Sequence, residues 1–460
     1  MVGSDRGWSG PGCRGVAGCL SSGRSIELLD ARQATCIVVT SLGIRRRPRS
    51  PFPALASRAR HPHRHALRVA GWVRRAWVVG RAATFPPRIR PTSRREASGR
   101  PRRRSSNTVA SIARLQNSGP TGVRQGAALE HIEPNLRARL ARLFGAQPDE
   151  VALTHSTSES ISIAVWGRDW RGDDEVIISN QEHPANIIPW YNLRDRRGIV
   201  IRTINLDAGT NLLDEVRPLL NVRTRMVSLP HVSRNNGRRI RTEDSAALAR
   251  LLRAAGIRYL LDGAQGPGNV PVDFAALGCD YYCTCGHKWL MAPKGTGALF
   301  VRRDMRDATL MSWTGAHSHS TMDYEGHFTL LPSAARFEFG TRALADFAGF
   351  DRALSWLDEI GYARIHSRIQ ELADYAIGRA RRSPRLQLSS PESTEDRSGI
   401  VTFRLPSGCS PLDVYKRLRE GMDMHVSPVR DERDIRLAIH FFNTQREIDL
   451  ALDAISAACG

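Results

Sequence analysis

Apolar residues gather in seven short strand-like runs through the middle of the chain, at 151–155, 175–180, 199–205, 225–232, 258–262, 280–285 and 297–302. Between them the apolar spacing turns helical, as in Glu243 to Ala255. Such βα alternation predicts an α/β fold whose large domain is built on a seven-stranded, mostly parallel sheet covered on both faces. Ahead of the first run, Ile132, Leu136, Leu140 and Leu143 recur at helical spacing, and Gly145 is placed to end that helix. From about residue 346 the pattern changes to a long helix (Ala348 to Glu359), further helices and short strands at 399–404 and 435–440. These predict a smaller C-terminal α+β domain over 346–460, after a large domain over 106–345.

Charge separates a third segment. The chain of 460 residues carries a net charge of +21, but residues 1–105 hold 23 arginines, no lysine and four acids. The remainder, with 44 bases against 42 acids, is close to neutral. Residues 1–105 are also rich in Pro, Ser and Gly, a composition that does not support a packed core. An over-extended translation start accounts for this segment best. A transit peptide fits its arginines but not its length, tryptophans and cysteines, and a nucleic-acid-binding arm ranks third, so nucleic acid is not the expected partner. No apolar run approaches the roughly 18 residues of a membrane span. Eight scattered cysteines show no disulfide framework and point to a reducing, cytoplasmic setting.

The chemistry gathers around a rare residue type. Only three of the 67 basic residues are lysines, and one of them, Lys288, follows the run at 280–285 in Cys285-Gly286-His287-Lys288. A lysine can lose its proton and condense with a carbonyl, which a guanidinium cannot. Its place at a strand's C-terminal end is where open α/β sheets bind ligands. Twenty-six residues upstream, Asp262-Gly263-Ala264-Gln265 puts a carboxylate and an amide just past another strand. Ser156-Thr157-Ser158-Glu159 is a hydroxyl-rich turn opening a helix, suited to phosphate and equally a capping box. Glu182-His183-Pro184-Ala185-Asn186 follows the second run. Arg336-Phe337-Glu338-Phe339-Gly340-Thr341 and Arg436-Leu437-Ala438-Ile439-His440-Phe441-Phe442-Asn443-Thr444 complete the ordered set.

Together these segments resemble the class V aminotransferase family of pyridoxal phosphate (PLP) enzymes of fold type I, which includes cysteine desulfurases, selenocysteine lyases and isopenicillin N epimerase. The resemblance spans about 151–444. It implies that Lys288 forms the Schiff base with PLP and that Asp262 pairs with the pyridinium nitrogen, keeping the ring an electron sink. It places Gln265 against the phenolic oxygen, and His183 on the ring as a stacking and proton-transfer group. Thr157, Ser158, Cys285 and His287 fall at cofactor positions, with Thr341 reaching the phosphate of a neighbouring subunit in a homodimer. Arg436 clamps the carboxylate of an amino-acid substrate, a planar fork matching a planar anion, and Asn186 is assigned to the substrate side. Cys283, Cys285 and His287 are metal-ligand types, but three ligands on one short strand beside a Schiff-base lysine argue against a metal, and none is expected.

Three departures bear on function. Arg234 stands in His231-Val232-Ser233-Arg234 where desulfurases carry asparagine near the cofactor's oxygen, and Cys285 replaces a serine, a poorer donor to phosphate. The N-terminal Tyr-Leu-Asp block of the family is not recognisable in 106–130. The loop before Arg436, where desulfurases place their persulfide-carrying thiol, contains no cysteine. An isopenicillin N epimerase-like enzyme is therefore favoured. A cysteine desulfurase or selenocysteine lyase-type carbon–sulfur or carbon–selenium lyase is the first alternative, and a catalytically weakened homologue acting as a binding protein the second.

Overall fold

The computed structural model describes residues 100–118, 123–207, 209–422, 424–429 and 433–459; the readings made for residues 1–99 lie outside the described residues. All seven apolar runs become strands of one sheet: β1 (Val151–Thr154), β2 (Glu175–Ser179), β3 (Val200–Ile204), β4 (Thr224–Pro230), β5 (Arg258–Asp262), β6 (Tyr281–Cys285) and β7 (Gly297–Val301). Their order across the sheet is β1-β7-β6-β5-β4-β2-β3. The five strands from β3 to β6 run parallel, whereas β7 is antiparallel to both β6 and β1. Residues 286–296, which join β6 to β7, are too short a link for the crossover that a parallel return requires.

Helices cover both faces, so neighbouring positions on one strand enter different cores. Leu153, Leu261 and Tyr282 join Leu136, Leu140 and Phe144 of the helix Ile132–Phe144 on one side. Ala152, Leu260 and Cys283 join Ile161, Val165 and Trp190 on the other. Gly145 ends the first of these helices at φ 62°, donating its N–H to Ala141 O, a left-handed turn that favours glycine.

The smaller domain holds a second, antiparallel sheet. A hairpin of β8 (His319–Met322) and β9 (Phe328–Leu330) precedes it. Its strands β10 (Gln387–Leu388), β11 (Ile400–Arg404), β12 (Ser427–Val429) and β13 (Asp434–Ala438) lie in the order β10-β11-β13-β12. Helices Tyr362–Ala380 and Gln445–Ala458 pack their apolar faces on it.

Three expectations are corrected. The boundary at 105/106 falls inside the helix Arg100–Asn117, where Ser105 is buried and its hydroxyl donates to Gly349 O at 2.8 Å. The boundary at 345/346 falls inside the helix Leu344–Ile360, whose Phe347, Phe350, Leu354 and Leu357 pack in the large-domain core. The change of domain comes after this helix, because its apolar stripe faces the first sheet. Lastly, among the described residues Cys409 and Cys459 form a disulfide joining a surface turn to the end of the last helix. Fifty residues separate them in sequence, which is why spacing alone did not reveal the pair.

Candidate active site

The C-terminal ends of β1, β2, β4, β5 and β6 lie on one edge of the large sheet, and each delivers one of the side chains singled out above. β1 leads into the helix Thr157–Trp166, capped by Ser156, whose Oγ accepts from Glu159 N–H at 3.1 Å. The turn is thus a helix cap in the structure, and it still leaves a donor over. Thr157 Oγ1 is buried beside the Cys285 thiol, with no oxygen or nitrogen partner among the described residues. Ser158, next along the first turn, is exposed. His287 Nδ1, arriving from β6, is also buried and unpartnered. Thr157 Oγ1 at a helix N-terminus and His287 Nδ1 after β6 are polar atoms of the kind that suit a phosphate. The turn after β6 requires glycine at 286, because a Cβ there would lie 2.4 Å from Thr296 Oγ1 and 2.7 Å from Ala292 Cβ.

Lys288 is half-buried on the loop after β6, close enough to Asp262 for its charge to act there. Asp262 is 5% exposed, with Oδ1 accepting from Ala264 N–H at 2.9 Å. Burial pushes its carboxyl above the usual range and Lys288 opposes that rise. A carboxyl in such a place is stabilised as an anion by a cation brought to it. Gln265 Oε1 accepts from Trp289 Nε1–H at 2.8 Å, which fixes the amide and leaves its NH2 end to donate.

His183 caps the short 3-10 helix Pro184–Asn186, its Nδ1 accepting from Ala185 N–H at 3.0 Å. Burial and the charges of Lys288, Arg234 and Arg436 pull its pKa down to about 4. The imidazole is therefore neutral with its proton on Nε2, a flat uncharged ring rather than a cation. Glu182 beneath it is buried, with Oε1 accepting from Ser179 Oγ at 2.6 Å and Oε2 from Asn186 Nδ2 at 2.8 Å. Burial raises its pKa to about 8, the carboxylate of Asp262 adding to the rise. Asn186 is fully buried and occupied, since its Oδ1 also accepts from Ser228 Oγ at 2.7 Å. It supports Glu182 from within the protein, not from an open substrate surface.

Arg436 projects from β13 of the smaller domain. Its Nη1 donates to Arg234 O at 2.6 Å and its Nη2 to Ser427 Oγ at 3.3 Å, while Nε is buried without a partner. Burial, and Arg234 after it, lower its pKa to about 10, so it remains charged at neutral pH. Thr341 is exposed. Sequence reasoning passed over Glu182, although it sits in the quoted His183 segment, and Trp289, which positions Gln265.

The model of the family "Aminotransferase class-V" matches residues 116–450. The chain belongs to the class V aminotransferases, a family of PLP-dependent enzymes. A cysteine desulfurase of Haloferax volcanii is 30% identical over 70% of this chain and 77% of its own length. The isopenicillin N epimerase of Streptomyces clavuligerus is 28% identical over 70% of this chain and 84% of its own. Among solved structures, a mutant of C-DES with glycine covalently linked to its PLP cofactor superposes with a TM-score of 0.71, at 25% identity over 76% of this chain and 92% of that one. The seven-stranded, mostly parallel sheet with its smaller C-terminal domain is the fold-type I architecture of these enzymes. The orphaned Thr157 and His287 atoms fit a phosphate, the buried Asp262 a ring cation and the half-buried Lys288 an aldehyde, so the residues present suit PLP.

Proposed function

We propose that this protein is a PLP enzyme that labilises the Cα proton of an amino acid, in the manner of the isopenicillin N epimerase branch. PLP, when bound, supplies a carbonyl for the amine and a ring that spreads the charge left at Cα. Thr157, His287 and the first turn of the helix Thr157–Trp166 hold the phosphate. Asp262 holds the ring nitrogen protonated, and Gln265 donates its oriented NH2 to the ring oxygen. His183, neutral and held by Ala185 N–H, offers its flat face to the ring and its Nε2–H to a proton acceptor. Arg436 binds the substrate carboxylate, and Lys288 Nζ takes the Cα proton.

The observation that carries this reading over sulfur transfer through a protein thiol is the placement of the described thiols. Cys279, Cys283 and Cys285 are buried, Cys409 is bound to Cys459, and residues 420–434 contain no cysteine. A relay thiol has to reach the substrate within bonding distance. Carbon–sulfur or carbon–selenium cleavage that needs no protein thiol is the second reading, favoured by the desulfurase names of the relatives. We further infer a homodimer, supported by Thr341 facing solvent and by the exposed Trp313, Tyr324 and Phe328 around the β8–β9 hairpin.

Borohydride reduction of the PLP-loaded protein, followed by peptide mapping, is expected to leave the pyridoxyl group on Lys288. A label on Lys294, or none, refutes the enzyme reading, and the second of these results favours a binding protein. Incubation with cysteine then separates the branches: stoichiometric protein persulfide, lost in Cys409→Ser, overturns the preference stated here.

A further inference from the structure

Two guanidiniums converge at this site, and one of them stands where the family's desulfurases carry a neutral amide. Arg234 sits in a turn that is fixed from several sides. Ser233 Oγ accepts from Asn235 N–H at 3.1 Å and Asn236 N–H at 3.2 Å, and donates to Gln181 Oε1 at 3.0 Å. Gly237 closes the turn at φ 73°, against Ile400 of β11, where a Cβ would meet the Ile400 carbonyl. From the smaller domain, Thr402 Oγ1 donates to Asn235 O and Arg436 Nη1 to Arg234 O. The turn is thus riveted between the two sheets, and its position does not depend on the Arg234 side chain.

That side chain forms no ion pair or hydrogen bond within the described residues, and neither does Arg436 find a carboxylate there. The charge of Arg234 nevertheless reaches both Arg436 and His183. Two half-buried or buried cations side by side, with no anion between them, repel one another, and burial makes each costlier. Such an arrangement is stabilised when anions arrive. One carboxylate satisfies Arg436, and the second cation then calls for a second anionic group.

We propose that the substrate is an acidic amino acid, its α-carboxylate held by Arg436 and a second oxyanion on its side chain, a carboxylate or a sulfinate, held by Arg234. This rests on the amino-acid reading above but is tested without turnover. The probes are butyrate, succinate and glutarate, unreactive acids that differ in their second carboxylate. Binding to the full chain is measured by calorimetry without cofactor, and again by the visible absorbance of the PLP-loaded protein. A charge-assisted contact corresponds to about tenfold or more in affinity.

Succinate or glutarate is expected to bind at least about tenfold tighter than butyrate. Arg234→Asn is expected to erase that preference while leaving butyrate affinity within about twofold, and Arg234→Lys to keep part of it because the charge remains. Equal binding of mono- and dicarboxylates by the wild-type chain overturns the proposal. So does a preference that survives in Arg234→Asn while the pH dependence of the cofactor absorbance moves, which would place Arg234 on the cofactor oxygen. If PLP fails to bind while cofactor-free protein still prefers dicarboxylates, the cofactor reading falls and the anion site stands.

Discussion

Glu338 offers the sharpest test of how the segment carrying Thr341 is held. It is 5% exposed, and its Oε1 accepts from Leu153 N–H at 2.7 Å and from Arg137 Nη1 at 2.6 Å. Its Oε2 accepts from Arg137 Nη2 at 3.2 Å and lies 3.3 Å from Arg342 Nη2. One carboxylate thereby fastens the helix Ile132–Phe144, strand β1 and the chain around Thr341 to one another. Glu338→Ala leaves the largely buried Arg137 guanidinium without a carboxylate, with Val151 O as its remaining partner, and takes a partner from the Leu153 amide. Breaking a buried pair from one side costs about 3–5 kcal/mol. Arg342 retains Glu133 at 2.8 Å and Leu153 O at 2.7 Å, which favours the lower end. Equilibrium urea unfolding should show the midpoint falling with little change in slope. Adding Arg137→Met should recover part of the loss, because the guanidinium left without a carboxylate leaves with it. A cost for Glu338→Ala below about 1 kcal/mol, the range of solvent-exposed pairs, would refute the clamp.

Two further outcomes are expected. Glu182, raised by burial to about 8 from 4.5, keeps its proton in the folded cofactor-free protein, so its contribution is complete below the unfolded value and is lost as pH rises through the folded one. Stability should fall by on the order of 4 kcal/mol between about pH 5 and 8, and Glu182→Gln should flatten that slope in urea titrations; an unchanged slope would reject the assignment. The Cys409–Cys459 bond closes a stretch of 50 residues, worth about 4 kcal/mol by loop-closure entropy. Dithiothreitol should lower the unfolding midpoint of the wild-type chain and leave that of Cys459→Ser unmoved, while borohydride labelling of Lys288 is unaffected by either.

The inner strands of the large sheet were legible because burial on both faces writes them as largely apolar runs, β3 at the edge being part exposed, and the observed ends differ from the expected ones by a residue or two at most. The sense of β7 was not, since an apolar run carries no direction; only the shortness of the link through 286–296 reveals it. In the smaller domain, Gln387–Leu388 and Ser427–Val429 are too short to build any period. Asp262, Gln265, His183 and Lys288 could be placed at one edge of the sheet from sequence because each lies at a strand's C-terminal end or within four residues of it. Glu182 escaped notice because its role depends on burial, a property that the order of residues does not state. Asn186 shows the opposite failure: its neighbour His183 drew it into the substrate group, although its amide is spent inside the protein. The disulfide was missed because its partners meet only through tertiary packing.

The three lysine side-chain amines occupy very different surroundings. Lys416 is well exposed on a helix beside Asp413, Lys294 is exposed on the turn before β7, and Lys288 alone lies half-enclosed at the edge of the large sheet. Aldehydes and activated esters, which on most proteins scatter over many surface lysines, find few targets in this chain. Amine-selective reagents therefore become near site-specific tools without any engineering. Adventitious carbonyl adducts, the usual background when a protein is steeped in excess vitamer, are confined to the same few places.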